Sequence, residues 1–167
     1  DETPTLYRDN PDFADLEPLP IPQAEDEPYF IVHPEQYEDL FGYFFALVKK
    51  DEISQRCLDV CNKIIDNYPF HYTAWSMKFK CLEKLGFDYD AESQMQLELF
   101  KCNPKSYQNW YFKMWLIDHS TEFHDDIPFL VTVLNEDPKN FHAWSFALYF
   151  ADKWGKHQDI YNIAKEK

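Results

Sequence analysis

Glycine is scarce, with 3 in 167 residues. That is too few for the glycine-paved turns of a Rossmann unit, a phosphate-binding loop or a β-propeller. Basic side chains are also in short supply, 16 against 30 acids, for a formal charge of −14. Neutralising phosphates needs clustered cations, which argues against a nucleic-acid-binding or anionic-membrane surface. No run of 18 apolar residues exists, so no membrane-spanning helix is expected. The first residues are acidic and proline-rich, unlike the basic, apolar start of a secretory signal. CxxC, HExxH and GxSxG are all missing, which leaves no self-contained active site.

What is present is apolar and aromatic. Hydrophobic residues make up 45% and aromatics 19%, ample for a packed core and for one domain by length. The four cysteines are Cys57, Cys61, Cys81 and Cys102. Without CxxC pairs or paired histidines they read as buried apolar side chains in a reducing cytosol. A cytoplasmic chain that binds no metal of its own is expected.

Charge and proline concentrate at the start. Residues 1–38 hold eleven acids against Arg8 alone, and the first 34 residues hold seven of the eleven prolines. Proline-rich chain of this kind is extended, so residues 1–33 are expected to form an acidic arm. Its apolar side chains, among them Leu6, Tyr7, Phe13 and Leu16, leave two readings open. It is a solvating leader, or it docks its aromatics on the rest of the protein or on a partner.

From residue 34 the chain repeats. Pro69, Pro104 and Pro138 each precede an aromatic by three residues (Tyr72, Tyr107, Phe141) and a tryptophan by six (Trp75, Trp110, Trp144). Pro34 and Tyr37 form a weaker first copy. A period of 34–35 residues points to stacked helical hairpins, with repeats starting near 34, 69, 104 and 138. Within the third, Asn103 reads as N-cap with Pro104 at the first helical position. Tyr107, Trp110, Met114 and Ile117 then mark one buried stripe. Asp126 and Pro128 restart a helix over Ile127, Leu130, Val131 and Leu134, and Asp90 opens its counterpart over 91–102. The expected fold class is all-α, a right-handed α-α superhelix of helical hairpins. Lys105 and Lys139 follow the repeat proline; from spacing alone a plain surface lysine is the default reading, and the other is a phosphate site, which a first-turn lysine beside free N–H groups suits.

The stretches PKSYQNW and PKNFHAW, with LYRDNPDFADLEPLP upstream, resemble the shared α subunit of protein farnesyltransferase and geranylgeranyltransferase type I. The leader matches at Tyr7, Arg8, Asp9, Phe13, Ala14, Asp15, Leu16 and Pro18, and the likeness runs over residues 6–160. It implies a heterodimer that moves farnesyl or geranylgeranyl from its diphosphate to the cysteine of a C-terminal Cys-aliphatic-aliphatic-X motif. The β subunit would hold the zinc, with magnesium also required for farnesyl transfer. By position, Lys105 would contact the isoprenoid diphosphate beside Tyr107 as the catalytic pair. His142 would lie near the diphosphate, and Gln108 would bind the substrate carboxylate. Phe141 replaces a tyrosine.

Two departures stand out. Where the family follows each tryptophan with paired arginines, this chain has Lys78, Lys113 and Ala147 at the first of them, and lysine cannot form arginine's bidentate fork. The chain also stops in its fourth repeat, so a shortened subunit, a fragment or an engineered sequence is expected. The alternative function is a non-catalytic repeat scaffold that holds a protein or peptide.

Overall fold

The computed structural model describes residues 5–21 and 32–167. The described residues form eight α-helices and two single 3-10 turns, with no strand. In chain order the helices are α1 (Glu35–Lys49), α2 (Gln55–Asn67), α3 (Tyr72–Leu85), α4 (Tyr89–Cys102), α5 (Tyr107–His119), α6 (Ile127–Glu136), α7 (Phe141–Trp154) and α8 (His157–Glu166). They fall into two compact units that divide between Gly86 and Phe87.

The spacing of the repeat proline has a different local cause from the expected one. Ser106 N–H donates to Asn103 O, closing a β-turn with Pro104 at its second position. His71 to Tyr68 and Asn140 to Asp137 close the same turn around Pro69 and Pro138. Each proline therefore precedes the helix instead of opening it. The caps are His71, Ser106 and Asn140, whose side chains accept from Ala74, Asn109 and both His142 and Ala143 backbone N–H groups. The tryptophan six residues on then bonds back to the turn. The Nε1–H groups of Trp75, Trp110 and Trp144 donate to the carbonyls of Pro69, Pro104 and Pro138 at 2.8, 2.9 and 2.8 Å. In the second half of the period, Ser54 and Asp88 cap α2 and α4. Thus α4 starts two residues before the expected 91, and Asp90 lies in its first turn.

In the first unit, α2 packs on α1 and α3. Residues 5–21 lie against α1. Backbone N–H groups of Tyr7 and Arg8 donate to the Asp39 carboxylate at 2.6 and 3.2 Å. Phe13 and Leu16 are buried, and Arg56 stands over the Phe13 ring while binding Asp15 and Glu52. Leu19 N–H donates to Gly42 O, an approach so close that a Cβ at Gly42 would stand 3.0 Å from Pro18 Cβ. The part of the expected arm between residues 22 and 31 lies outside the described residues.

In the second unit, α5 packs on α4 and α7, and α7 packs on α6 and α8. Phe112, Leu116, Leu130, Leu134, Phe146 and Phe150 form its fully buried centre. On α6, Phe129 and Val133 are buried with Leu130 and Leu134, so the apolar face is turned away from Ile127 and Val131.

Candidate functional site

Sequence order puts Lys105, Tyr107 and Gln108 at the start of the third repeat and His142 one repeat later. The turn geometry brings the two places together. Pro104 O accepts from Trp110 Nε1 and, at 3.1 Å, from Asn140 Nδ2. Asn140 is buried, and its Oδ1 caps α7 at the same time. One side chain therefore ties the turn carrying Lys105 to the helix start carrying His142.

Lys105 lies in the β-turn, two residues before α5, and Lys139 lies in the equivalent turn before α7. Neither occupies the first helical turn that the proline spacing suggests. Lys105 is exposed, with Nζ 3.7 Å from Asp137 Oδ2. Tyr107, expected in the buried stripe, is 74% exposed, while Trp110 and Ile117 are buried. Its equivalents Tyr72 and Phe141 are 78% and 74% exposed. All three occupy the first position of their helices, where the side chain lies outside the packed face. The Tyr107 ring meets the His142 ring edge-on at 4.5 Å, and His142 lies parallel to Trp110 at 6.4 Å. Gln108 is half-buried and accepts from Ser106 Oγ at 3.3 Å. Tyr107 and half-buried His142 therefore meet in the second unit, with exposed Lys105 in the turn two residues before Tyr107 and Gln108 on the same helix turn as Tyr107.

Two residues of this place escaped the sequence reading, Asp137 and Asn140. For Asn140 the signal was a polar side chain two positions after each repeat proline, which marks the true cap. Lys78 and Lys113, each three residues after a repeat tryptophan, are both fully buried. Lys113 Nζ donates to Asp126 Oδ1 at 2.6 Å and Ser93 Oγ at 2.5 Å, and Tyr89 donates to Asp126 Oδ2 at 2.5 Å. Burial pulls the Lys113 ammonium below its ordinary range, and the Asp126 charge opposes that shift. Burial together with Asp126 pushes the Tyr89 phenol up. Asp126 thus precedes α6, as expected, but its carboxylate serves this network and makes no cap bond. Lys78 donates to Asn62 Oδ1 at 2.8 Å. Each lysine reaches back from its own helix to the helix before it.

Cys57, Cys61 and Cys81 are buried as expected, whereas Cys102 at the end of α4 is exposed. The hydrogen-bonded Cys61 thiol, with burial behind it, pushes Cys57 up to about 12, so it is an inert thiol at neutral pH. Among the described residues no group of three or more His, Cys, Asp or Glu could hold a metal ion.

Comparison with known proteins gives a family resemblance. The description "protein prenyltransferase alpha subunit repeat" matches residues 54–85, which are α2, the Pro69 turn and α3. That frame puts the proline turn in the middle of the repeat, with the same period read from another starting point. A Candida albicans protein farnesyltransferase/geranylgeranyltransferase type-1 subunit alpha is 31% identical over 93% of this chain and 52% of its own length. The Schizosaccharomyces pombe protein of the same name is 33% identical over 64% of this chain and 37% of its own. The rat geranylgeranyl transferase type-2 subunit alpha is 23% identical over 69% and 22%. A solved structure, Candida albicans protein geranylgeranyltransferase-I complexed with GGPP, matches 90% of this chain and 53% of its own, with TM-score 0.74 and 28% identity. The chain spans about half the length of the first of these relatives.

Fold and repeat together make this an all-α chain that resembles the prenyltransferase α-subunit repeat class. Within that class the resemblance is to the type-1 α subunit, the one shared by farnesyl and geranylgeranyl transfer.

Proposed function

We propose that this chain acts as the α subunit of a heterodimeric protein prenyltransferase. The observation that supports the reading is the Tyr107–His142 ring contact beside the Lys105 turn, which Asn140 ties to the start of α7, in a chain whose relatives are named as such subunits. A β subunit would hold the zinc, and magnesium in the farnesyl case. The isoprenoid diphosphate would come from solution, and the acceptor would be a protein ending in Cys-aliphatic-aliphatic-X.

The roles follow from charge. The ammonium of Lys105 faces the diphosphate, whose negative charge grows as the carbon–oxygen bond breaks. Tyr107 and His142 offer hydrogen-bond donors on the same side. Gln108 binds the terminal carboxylate of the peptide, a contact made equally before and during the reaction.

Kinetics of the chain assembled with a prenyltransferase β subunit test this division. Lys105→Ala should lower the single-turnover rate by about 10²–10³ with peptide affinity little changed. Gln108→Ala should raise KM for the peptide and leave saturating turnover near wild type. Lys139→Ala is the control from the equivalent turn. Equal effects of Lys105→Ala and Lys139→Ala would remove the assignment of Lys105. Failure to assemble with any β subunit would favour a scaffold.

A further inference from the structure

We infer that Asp137 is a positioning residue for Lys105, a carboxylate from the following repeat that sets where the ammonium stands before the diphosphate arrives. The inference rests on the functional reading above. It comes from comparing the three proline turns. In the first, Phe70 fills the lysine slot. In the third, Lys139 meets Asp137 through its backbone N–H, which donates to Oδ1 at 3.1 Å. That bond fixes the carboxylate and leaves Oδ2 directed at the second turn, 3.7 Å from Lys105 Nζ. The second turn is itself held from both sides, since Pro104 O accepts from Trp110 and from Asn140. A fixed backbone and a fixed counter-charge therefore bracket a side chain with four rotatable bonds.

Ordering such a chain in advance reduces what must be lost when the transition state forms. A pair this exposed adds little to folding stability. Asp137 touches Lys105 and acts through it.

The test is a double-mutant cycle on the full chain assembled with a prenyltransferase β subunit, using farnesyl or geranylgeranyl diphosphate and a Cys-aliphatic-aliphatic-X peptide. Asp137→Asn keeps an oxygen for the Lys139 N–H and removes the charge. Alone it should slow single turnover by about 3–10-fold, a fraction of the loss from deleting the ammonium itself. In a Lys105→Ala background it should change nothing further, because the group it positions is gone. A wild-type rate for Asp137→Asn would overturn the inference, as would the same factor in both backgrounds, the signature of a merely structural residue. If Lys105→Ala turns over at the wild-type rate, the functional reading falls and takes the inference with it. A slow Lys105→Ala with an additive Asp137→Asn would overturn the inference alone.

Discussion

His71 shows how one side chain links a cap to pH. Its Nδ1 accepts from Ala74 N–H at 3.1 Å, which requires the neutral ring. The rings of Phe41 and Phe44 lie 5.2 and 5.5 Å away, and burial holds the imidazole below its ordinary value of 6.5. A histidine with a depressed folded value binds more protons when unfolded. The stability it contributes is therefore complete above pH 6.5 and declines as pH falls below that. His71→Asn supplies a cap with no such titration. Urea unfolding between pH 8 and pH 5 should show the wild type losing more stability than His71→Asn. Parallel pH curves for the two would show that His71 does not cap α3 as a neutral ring.

At the scale of elements, Lys113 joins α4, α5 and the segment before α6 through Ser93, Tyr89 and Asp126. Lys113→Met would leave the Asp126 carboxylate buried without its cation, at a cost of about 3–5 kcal/mol. Adding Asp126→Asn should recover part of that loss, which denaturant midpoints would measure. Additive losses would mean the two residues do not act as a pair. The period of proline, aromatic and tryptophan was enough to read the helices, because each repeat reuses one turn. The helix starts were misjudged because proline is equally at home at the second position of a β-turn and at the first of a helix. The hydrogen bond that decides between them joins Ser106 N–H to Asn103 O and leaves no mark on apolar periodicity. Tyr107 was read as core for a related reason, since an aromatic at helical spacing looks buried whether or not its position lies inside the packed face. The pairing of Lys105 with Asp137 was invisible, because it joins residues 32 apart through the geometry of two turns.

For the whole molecule, the question is what the exposed aromatics are for. Tyr72, Tyr107 and Phe141 hold the same place in three successive repeats, and in the free chain all three stand in water. A chain with no partner gains nothing from leaving large rings exposed at a fixed period. A subunit that covers them with a partner gains their burial on assembly. The partner then binds the folded chain and not the unfolded one, so it stabilises by mass action. With free β subunit at 100 times its dissociation constant, the gain is about 2.7 kcal/mol. For a chain of this size, that raises the melting temperature by about 5–10 °C. Differential scanning calorimetry of the chain titrated with a prenyltransferase β subunit should show the transition rising with concentration. The triple variant Tyr72→Ser, Tyr107→Ser, Phe141→Ser should keep the melting temperature of the free chain, since its changes lie outside the core, but lose most of the rise. An unchanged melting temperature at saturating β subunit would oppose the heterodimer reading. A full rise in the triple variant would leave the heterodimer standing and move its contact surface away from these rings.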